Sequence, residues 1–246
     1  MTPDLSGRIA LVTGASRGIG YFLAKGLAKA GAHVIAVART QGGLEELDDE
    51  IRADGGQATL VPLDLADMAG IDRLGGAIHE RWEKLDILFA NAAILGVIAP
   101  IGHVEAKVFE RVMQVNVTAT WRLIRSVDQL LKASDAGRAI LMSSSLGTKT
   151  KPFWGPYAAS KAAVEALGRT WAQETQNSPL RINMADPGAT RTAMRAQAIP
   201  GEDPATLPSP ESVAAKLLAL ASPALTETGK LFLAREGRFL DYQLPS

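Results

Sequence analysis

The sequence predicts a single α/β domain, doubly wound around a parallel sheet of about seven strands with helices on both faces. Short β-branched runs alternate with helical patterns along all 246 residues. The runs are apolar enough to be buried on both faces, and no internal repeat interrupts the alternation. Hydrophobic residues make up 47% of the chain and charged residues 21%, as in ordinary globular proteins. One domain spanning 1–246 is therefore expected.

The elements follow one another in regular order. Runs of strand length and composition lie at 10–12, 33–38, 58–63, 85–90, 138–143, 181–185 and 229–232. Helical periodicity fills the intervals at 19–30, 44–53, 68–82, 105–132, 157–177 and 212–221. Such connections are right-handed crossovers between parallel strands. The proline-rich segment 199–210 is either a linker or, as we prefer, part of a mobile substrate loop at about 190–210.

Composition argues against several functions. Lysine plus arginine and aspartate plus glutamate number 26 each, so no overall field attracts the chain to nucleic acid or to an anionic membrane. The absence of cysteine excludes thiolate catalysis, and the three histidines are scattered without ligand spacing, so no metal is expected. No export signal and no apolar stretch of about 18 residues is recognisable, and a cytoplasmic location is expected.

A glycine-rich turn, TGASRGIG, lies between the first strand and the first helix. Glycines there let backbone N–H groups and the helix N-terminus approach a pyrophosphate closely. The spacing is G-x3-G-x-G, and such glycines can also be simple turn residues. Their position between strand and helix favours dinucleotide binding. The turn residues expected to contact the cofactor are Gly14, Ser16, Arg17, Gly18, Ile19 and Gly20.

The end of the second strand predicts which dinucleotide binds. An NAD-selective site usually has a carboxylate at the position of Ala38, where it accepts hydrogen bonds from the ribose hydroxyls. This chain has no acid there, and Arg39 together with Arg17 can pair with a 2′-phosphate. Both arginines could instead be solvated surface residues. Their convergence on one ribose favours NADP(H) over NAD(H).

Tyr157 and Lys161 lie four residues apart in YAASK, so their side chains project from one face of a predicted helix. An ammonium beside a phenol favours the phenolate, and it is expected to lower the pKa of Tyr157 from about 10 toward the working pH. Tyr157 would then be an acid/base. Ser144 ends the fifth strand and can donate to a substrate oxygen. Y-x-x-x-K alone is common by chance; the combination is far more specific.

The order and spacing of the motifs resemble the short-chain dehydrogenase/reductases over nearly the whole chain. The resemblance implies a Rossmann-like fold and reversible hydride transfer between a nicotinamide and a small carbonyl or alcohol substrate, as in a carbonyl reductase. It also implies a homodimer or homotetramer. It rests on TGASRGIG, Asp64-Leu65, Asn91-Ala92-Ala93, Asn116, Ser144, YAASK and Pro187-Gly188.

The resemblance also implies a role for each site residue. Asn116, Ser144, Tyr157 and Lys161 form a catalytic tetrad, in which Lys161 binds the nicotinamide ribose and Asn116 holds a water that connects Lys161 to solvent. The remaining cofactor contacts are Asp64 and Leu65 at the adenine, Asn91, Ala92 and Ala93 along the nucleotide, and Pro187, Gly188, Thr190 and Thr192 at the carboxamide and diphosphate.

Two departures from the family pattern bear on function. An aliphatic residue often stands where this chain has Thr190, which leaves a backbone contact to the carboxamide possible. The C-terminal Asp-Gly-Gly common in the family is absent, which puts the usual tetramer contacts in doubt. The segment 187–204 also resembles a poorly characterised bacterial branch of the family.

Substrate contacts are open at this point. Phe153, Trp154 and Pro156 could line the pocket or simply pack, and Arg191 and Arg195 could bind an acidic substrate or be solvated helix charges. A catalytically silent dinucleotide-binding regulator is the alternative function. Retention of all four tetrad residues speaks against it.

Overall fold

The computed structural model describes residues 3–242, which form an eight-stranded sheet with helices on both faces. The predicted α/β class is confirmed. The strands are β1 (Ile9–Thr13), β2 (His33–Ala38), β3 (Gln57–Pro62), β4 (Ile87–Ala90), β5 (Arg138–Met142), β6 (Arg181–Asp186), β7 (Leu231–Leu233) and β8 (Arg238–Leu240). The order across the sheet is β3-β2-β1-β4-β5-β6-β7-β8.

The eighth strand corrects the predicted count. The first seven strands are parallel, whereas β8 runs antiparallel to β7 and forms the edge of the sheet. β8 has only three residues and shows no apolar alternation, so its sequence carries no strand signal of its own. It pairs because the turn after β7 brings it alongside that strand.

The helices cover the sheet in two layers. Their bounds are α1 (Gly18–Lys29), α2 (Gln41–Ala53), α3 (Met68–Trp82), α4 (Ala106–Met113), α5 (Ala119–Lys132), α6 (Gly155–Glu174), α7 (Ala193–Ala198) and α8 (Pro210–Leu217). One apolar core lies between the sheet and α1, α2 and α8, and the other lies under α3, α5 and α6. Within residues 3–242 no helix combines the length and the hydropathy needed to cross a bilayer.

The predicted helix at 105–132 is two helices. A π-helical turn, Gln114–Thr118, separates α4 from α5. At its centre Asn116 exchanges hydrogen bonds with the backbone of Ile94, accepting from the N–H at 2.8 Å and donating to the carbonyl at 2.9 Å. These long-range bonds stabilise a local geometry that helical periodicity does not reveal.

The amino ends of the strands bury two charged residues. Asp86, directly before β4, is fully buried and accepts hydrogen bonds from Ile9 N–H at 2.9 Å, Ser134 Oγ at 2.6 Å and Arg8 at 3.0 Å. Lys84 lies 3.1 Å away. Burial raises the pKa of Asp86, but these donors outweigh it and hold the pKa below its usual value.

Arg138, the first residue of β5, is also buried. Burial lowers its pKa to about 10. All five guanidinium N–H groups nevertheless donate, at 2.5–3.2 Å, to backbone carbonyls. The acceptors are the carbonyls of Gly137, Pro179, Ser222, Pro223 and Leu225.

Candidate active site

A cleft of about 720 Å³ opens at the carboxyl ends of the central strands. It lies where the strand order reverses between β1 and β4, the position at which doubly wound sheets bind ligands. Most residues predicted from the sequence line it: Gly14, Ser16, Arg17, Gly18, Ile19, Arg39, Asp64, Leu65, Asn91, Ala92, Ala93, Tyr157, Lys161, Pro187 and Thr192. Gly20, Asn116, Ser144, Gly188 and Thr190 lie outside its lining.

The glycine turn has the geometry that a phosphate site requires. Gly14 and Gly18 have φ of 70° and 61°, in the left-handed region, and a Cβ on Gly20 would collide with the Gly14 carbonyl oxygen. Arg17 precedes α1 in an extended conformation, no side chain caps this helix, and its first turn contains no acid. The first N–H groups of α1 therefore remain available to an anion in the cleft.

A threonine that the sequence analysis missed organises the floor of the cleft. Thr13 Oγ1 accepts the N–H groups of Asn91 and Ala92, both at 3.0 Å, while Asn91 Nδ2 donates to the Thr13 carbonyl at 2.9 Å. These bonds tie the ends of β1 and β4 together. The available signal was a polar residue ending a fully buried strand.

The end of the cleft beside the glycine turn and the second strand has two exposed arginines. Arg17 and Arg39 are exposed, line the cleft, and make no ion pair within the described part of the chain. Asp64 is held by Ala66 N–H at 2.9 Å and by Arg111 at 3.1 Å. Burial raises the pKa of Asp64, but these two donors hold it below its usual value. Arg17 and Arg39 thus have capacity to pair with a phosphate.

Tyr157 and Lys161 project from the first turns of α6 into the cleft. Lys161 is 3% exposed, and its Nζ donates to the Met142 carbonyl at 2.7 Å and lies 5.6 Å from the centre of the Tyr157 ring. Burial lowers the pKa of Lys161 to about 8, against the opposing influence of Glu165 and Asp186.

The expected lowering of the Tyr157 pKa is wrong for this structure. Burial raises the pKa of Tyr157, and the nearby Asp186 carboxylate adds to the increase. The physical reason is that the phenol itself is buried, and the Lys161 ammonium, which donates to the Met142 carbonyl, does not offset this loss of hydration. In this state Tyr157 is a protonated phenol at neutral pH.

The other two members of the predicted tetrad hydrogen-bond to neighbouring parts of the chain. Ser144 Oγ accepts the Leu146 N–H at 3.3 Å, which leaves its hydroxyl hydrogen available to a substrate oxygen. The amide of Asn116 is engaged with Ile94, and it also donates to Ser160 Oγ at 3.0 Å. Asn116 therefore connects the loop after β4 to α6, and its water-holding role stays a prediction.

The segment after β6 combines predicted contacts with one correction. Gly188 has φ of 72°, Thr190 Oγ1 donates to its carbonyl at 3.2 Å, and Thr192 caps α7. Arg191 is exposed and lines the cleft. Arg195 is half-buried and lies outside the cleft lining, where it pairs with Glu202 at 2.6 Å. It is therefore not a substrate contact in this structure.

The aromatic segment before Tyr157 divides between packing and exposure. Trp154 and Pro156 are buried outside the cleft lining, and the Trp154 ring packs edge-to-face on Tyr157 with centroids 6.1 Å apart. Phe153 is 54% exposed and has φ of 73°, which is strained for a residue with a side chain. Trp154 therefore orients the tyrosine rather than lining the pocket.

Sequence reasoning also missed three polar residues behind the pair. Ser143 lines the cleft and donates to Glu165 at 2.5 Å, and Asp186 is buried at the end of β6. The sequence signals were present: Glu165 follows Lys161 by four residues on one helix, and Asp186 ends an apolar strand. Within residues 3–242 no group of acids and histidines is placed to hold a metal ion.

Comparison with known proteins gives consistent results. The family model of short chain dehydrogenases matches residues 8–203. The uncharacterized oxidoreductase YciK of Escherichia coli K12 is 39% identical over 238 residues, covering 95% of this chain and 94% of the relative. A crystal structure of a short chain dehydrogenase from Shigella flexneri 2a, complexed with NADP, superposes with a TM-score of 0.91 at 38% identity, over 96% of this chain and 100% of the other.

A second structure extends the similarity to a reduced cofactor. The short chain dehydrogenase from Escherichia coli CFT073, complexed with NADPH, has a TM-score of 0.90 at 38% identity and covers 96% of this chain and 99% of its own. The family model alone spans more than half of the 246 residues. The chain therefore belongs to the short-chain dehydrogenase/reductase family of oxidoreductases.

Proposed function

We propose that this protein is an NADP(H)-dependent oxidoreductase that interconverts a small carbonyl compound and its alcohol, with Tyr157 as the acid/base. One observation carries the proposal: Tyr157 and Lys161 face the same cleft as the uncapped N-terminus of α1. A proton-transfer group and a dinucleotide-sized anion site thus share one space. NADP(H) bound there would exchange a hydride at nicotinamide C4.

Each residue has a defined part in this reaction. Tyr157 donates its proton to the developing alkoxide during reduction and takes it back during oxidation. Ser144 donates to the same substrate oxygen and orients it. Lys161, which remains protonated below its pKa of about 8, binds the nicotinamide ribose and stabilises the phenolate after proton loss. Among the described residues only one of its three N–H donors is used, by the Met142 carbonyl, so two remain for the ribose hydroxyls.

NADP(H) rather than NAD(H) is supported by charge. Arg17 and Arg39 line the cleft without carboxylate partners in the described chain, and Ala38 stands where a carboxylate would select NAD. The two similar dehydrogenase structures contain NADP and NADPH. Two guanidinium groups can pair with the 2′-phosphate.

The central test is Tyr157→Phe. Because only the hydroxyl is lost, we expect kcat/KM to fall by roughly 10²- to 10⁴-fold, while the Kd for NADPH, measured by fluorescence titration, stays within about threefold. Tyr21→Phe removes the hydroxyl of a buried tyrosine outside the cleft, so it is the matched control and should leave turnover unchanged. Full activity in Tyr157→Phe would refute the mechanism.

The same assays address the regulatory alternative. Purified protein is titrated with NADPH and NADH and then screened with aldehydes, ketones, quinones and alcohols for a change in nicotinamide absorbance. Tight NADPH binding without turnover of any compound would favour a silent dinucleotide-binding regulator.

Arg39→Asp tests the cofactor assignment. Repulsion between the new carboxylate and the 2′-phosphate should weaken NADPH binding by about 100-fold, with an NADH affinity within about threefold of the original. Arg73→Asp makes the same charge change on the exposed side of α3 and should leave both affinities unchanged. An unaltered preference in Arg39→Asp would show that Arg39 does not select the cofactor.

Several finer expectations stay predictions. These are the single-domain organisation over 1–246, the cytoplasmic location, the carbonyl reductase specificity and the homodimeric or homotetrameric assembly. Residues 1–2 and 243–246 lie outside the described chain. Light scattering of the purified protein would determine the assembly.

A further inference from the structure

Glu165 is a buried acid on the helix that carries the acid/base pair. It lies two helical turns after Tyr157 and one turn after Lys161, so the three side chains share one side of α6. Glu165 is only 2% exposed and forms no ion pair within residues 3–242. Because burying a carboxyl group without a counter-ion costs stability, an acid at this position is poorly explained by packing alone.

The carboxyl group of Glu165 contacts the turn after β5 at both of its ends. We call residues 143–147 the Ser144 turn. At its start, Ser143 Oγ donates to Glu165 Oε1 at 2.5 Å, and Ser143 also lines the cleft. At its end, a Cβ on Gly147 would lie 2.7 Å from Oε1 and 2.9 Å from Cδ of Glu165. The missing side chain of Gly147 therefore lets the backbone of the turn lie directly against the acid.

Ser144 lies between these two contacts, in a turn that hydrogen bonds close on itself. The Gly147 N–H donates to the Ser144 carbonyl at 2.8 Å, and the Leu146 N–H donates to Ser144 Oγ at 3.3 Å. On its other side the turn is joined to β6, because the Ser143 N–H donates to the Ala185 carbonyl at 2.7 Å. Glu165 thus joins to α6 a compact turn that is otherwise anchored in the sheet.

On the basis of the function proposed above, we propose that Glu165 is a positioning residue that holds the Ser144 turn against α6. The hydroxyls of Ser144 and Tyr157 must both reach one substrate oxygen, and each donates well only over a narrow range of distance. Ser144 is carried by the turn and Tyr157 by the helix, so the contact between turn and helix sets the separation of the two hydroxyls. Glu165 acts through Ser143 and Gly147 and touches no reacting atom.

Glu165→Ala tests this inference, because it removes the acceptor of the Ser143 hydroxyl and leaves space beneath the turn. We expect kcat for carbonyl reduction to fall by roughly 10- to 100-fold, less than the full loss of an oxyanion donor. KM and the Kd for NADPH should stay within about threefold. Glu165→Gln keeps an oxygen acceptor for Ser143 and should recover most of the rate. Glu174→Ala, at an exposed position near the end of α6, is the matched control.

A double-mutant cycle with Ser144→Ala separates positioning from a general loss of structure. In the Ser144→Ala background, Glu165→Ala should lower kcat by less than about twofold, because the hydroxyl that it positions is already absent. The same fall in both backgrounds, or a rate that Glu165→Gln does not recover, would overturn the inference. If Glu165→Ala does not fold, Glu165→Leu, which fills the space without an acceptor, takes its place. If neither folds, Glu165 is a stability residue and the inference is overturned.

Crystal structures of the variants give a readout that does not depend on turnover. We expect the Ser144 turn to move away from α6 by more than about 0.5 Å in Glu165→Ala, and to keep its position in Glu165→Gln. This displacement in a protein that turns over no substrate supports the role of Glu165 and contradicts the catalytic proposal. Turnover that depends on Tyr157, with an undisplaced turn and an unchanged kcat in Glu165→Ala, supports the catalytic proposal and overturns the role of Glu165.

Discussion

The two ends of the sheet bury charged groups in different ways. At the amino ends, the polar atoms of Asp86 and Arg138 are supplied with donors or acceptors. At the carboxyl ends, Lys161, Glu165 and Asp186 are buried close together, yet none forms an ion pair among the described residues.

This difference teaches what each cluster contributes. Once a buried charge has all its hydrogen-bond partners, removing one of them destabilises the fold, because the group left behind is buried without a partner. An incompletely paired cluster retains capacity for a ligand and for proton transfer, at the expense of stability. The pKa directions agree with this contrast: the pKa of Asp86 is lowered, whereas the pKa values of Glu165 and Asp186 are raised.

The largest expected effect is at the carboxyl ends. Lys161→Met should lower kcat/KM by at least about a thousandfold, equivalent to roughly 4 kcal/mol, because the ribose contact and the charge beside Tyr157 are lost. Its Tm should stay the same or rise, since an unpaired buried ammonium is replaced by an apolar chain of similar length. Lys29→Met, at an exposed position on α1, is the matched control. A large drop in Tm would contradict the contrast between the two ends.

The reverse pattern is expected at the amino ends. Asp86→Ala leaves Ile9 N–H and Ser134 without their acceptor and should reduce the free energy of unfolding in urea by about 3 kcal/mol. Turnover of the folded variant at low temperature should stay within about twofold. Asp135→Ala removes the exposed partner of Arg8 and should cost much less stability, because solvent screens an exposed ion pair. Equal losses of unfolding free energy in Asp86→Ala and Asp135→Ala would show that the burial of Asp86 does not increase its contribution to stability.

The smallest expected effect concerns the pH dependence of stability, which should have opposite signs for Asp86 and Asp186. The lowered pKa of Asp86 stabilises the fold above the unfolded value of about 3.9, and this contribution is lost as pH falls toward the folded pKa. The raised pKa of Asp186 gives the opposite pH dependence. The folded state loses stability as pH rises from the unfolded pKa of aspartate through the higher folded pKa of Asp186.

Asp86→Asn should therefore lose stability relative to the wild type as pH rises from about 2 to about 5, and Asp186→Asn should gain stability relative to the wild type as pH rises above about 4. Urea unfolding at several pH values measures both differences. The same sign for the two variants would contradict the proposed contrast.

The sequence predicts the local features of this molecule better than its long-range ones. The seven parallel strands and the glycine turn are predictable because apolar runs and special backbone angles leave a local signature. The strand β8 is not, because its three residues carry no apolar alternation, and the π-helical turn at Asn116 is not, because it depends on Ile94, 22 residues away.

The candidate site shows the same limit. The spacing of Tyr157 and Lys161 predicts that they share a helix face, and they do. Their protonation could not be predicted, because it depends on the burial of Lys161, its bond to Met142 and the charge of Asp186 on another strand. The pairing of Arg195 with Glu202 likewise depends on how the segment between them folds back.

The five hydrogen bonds of Arg138 bear on the kinetics of folding. Three of their acceptors follow Arg138 by 84, 85 and 87 residues and a fourth by 41, so the set is complete only when the segments before β6 and β7 have reached β5. Contacts that form after the transition state slow unfolding more than they speed folding. Arg138 should therefore prolong the lifetime of the native state, which matters where brief opening exposes a chain to proteases.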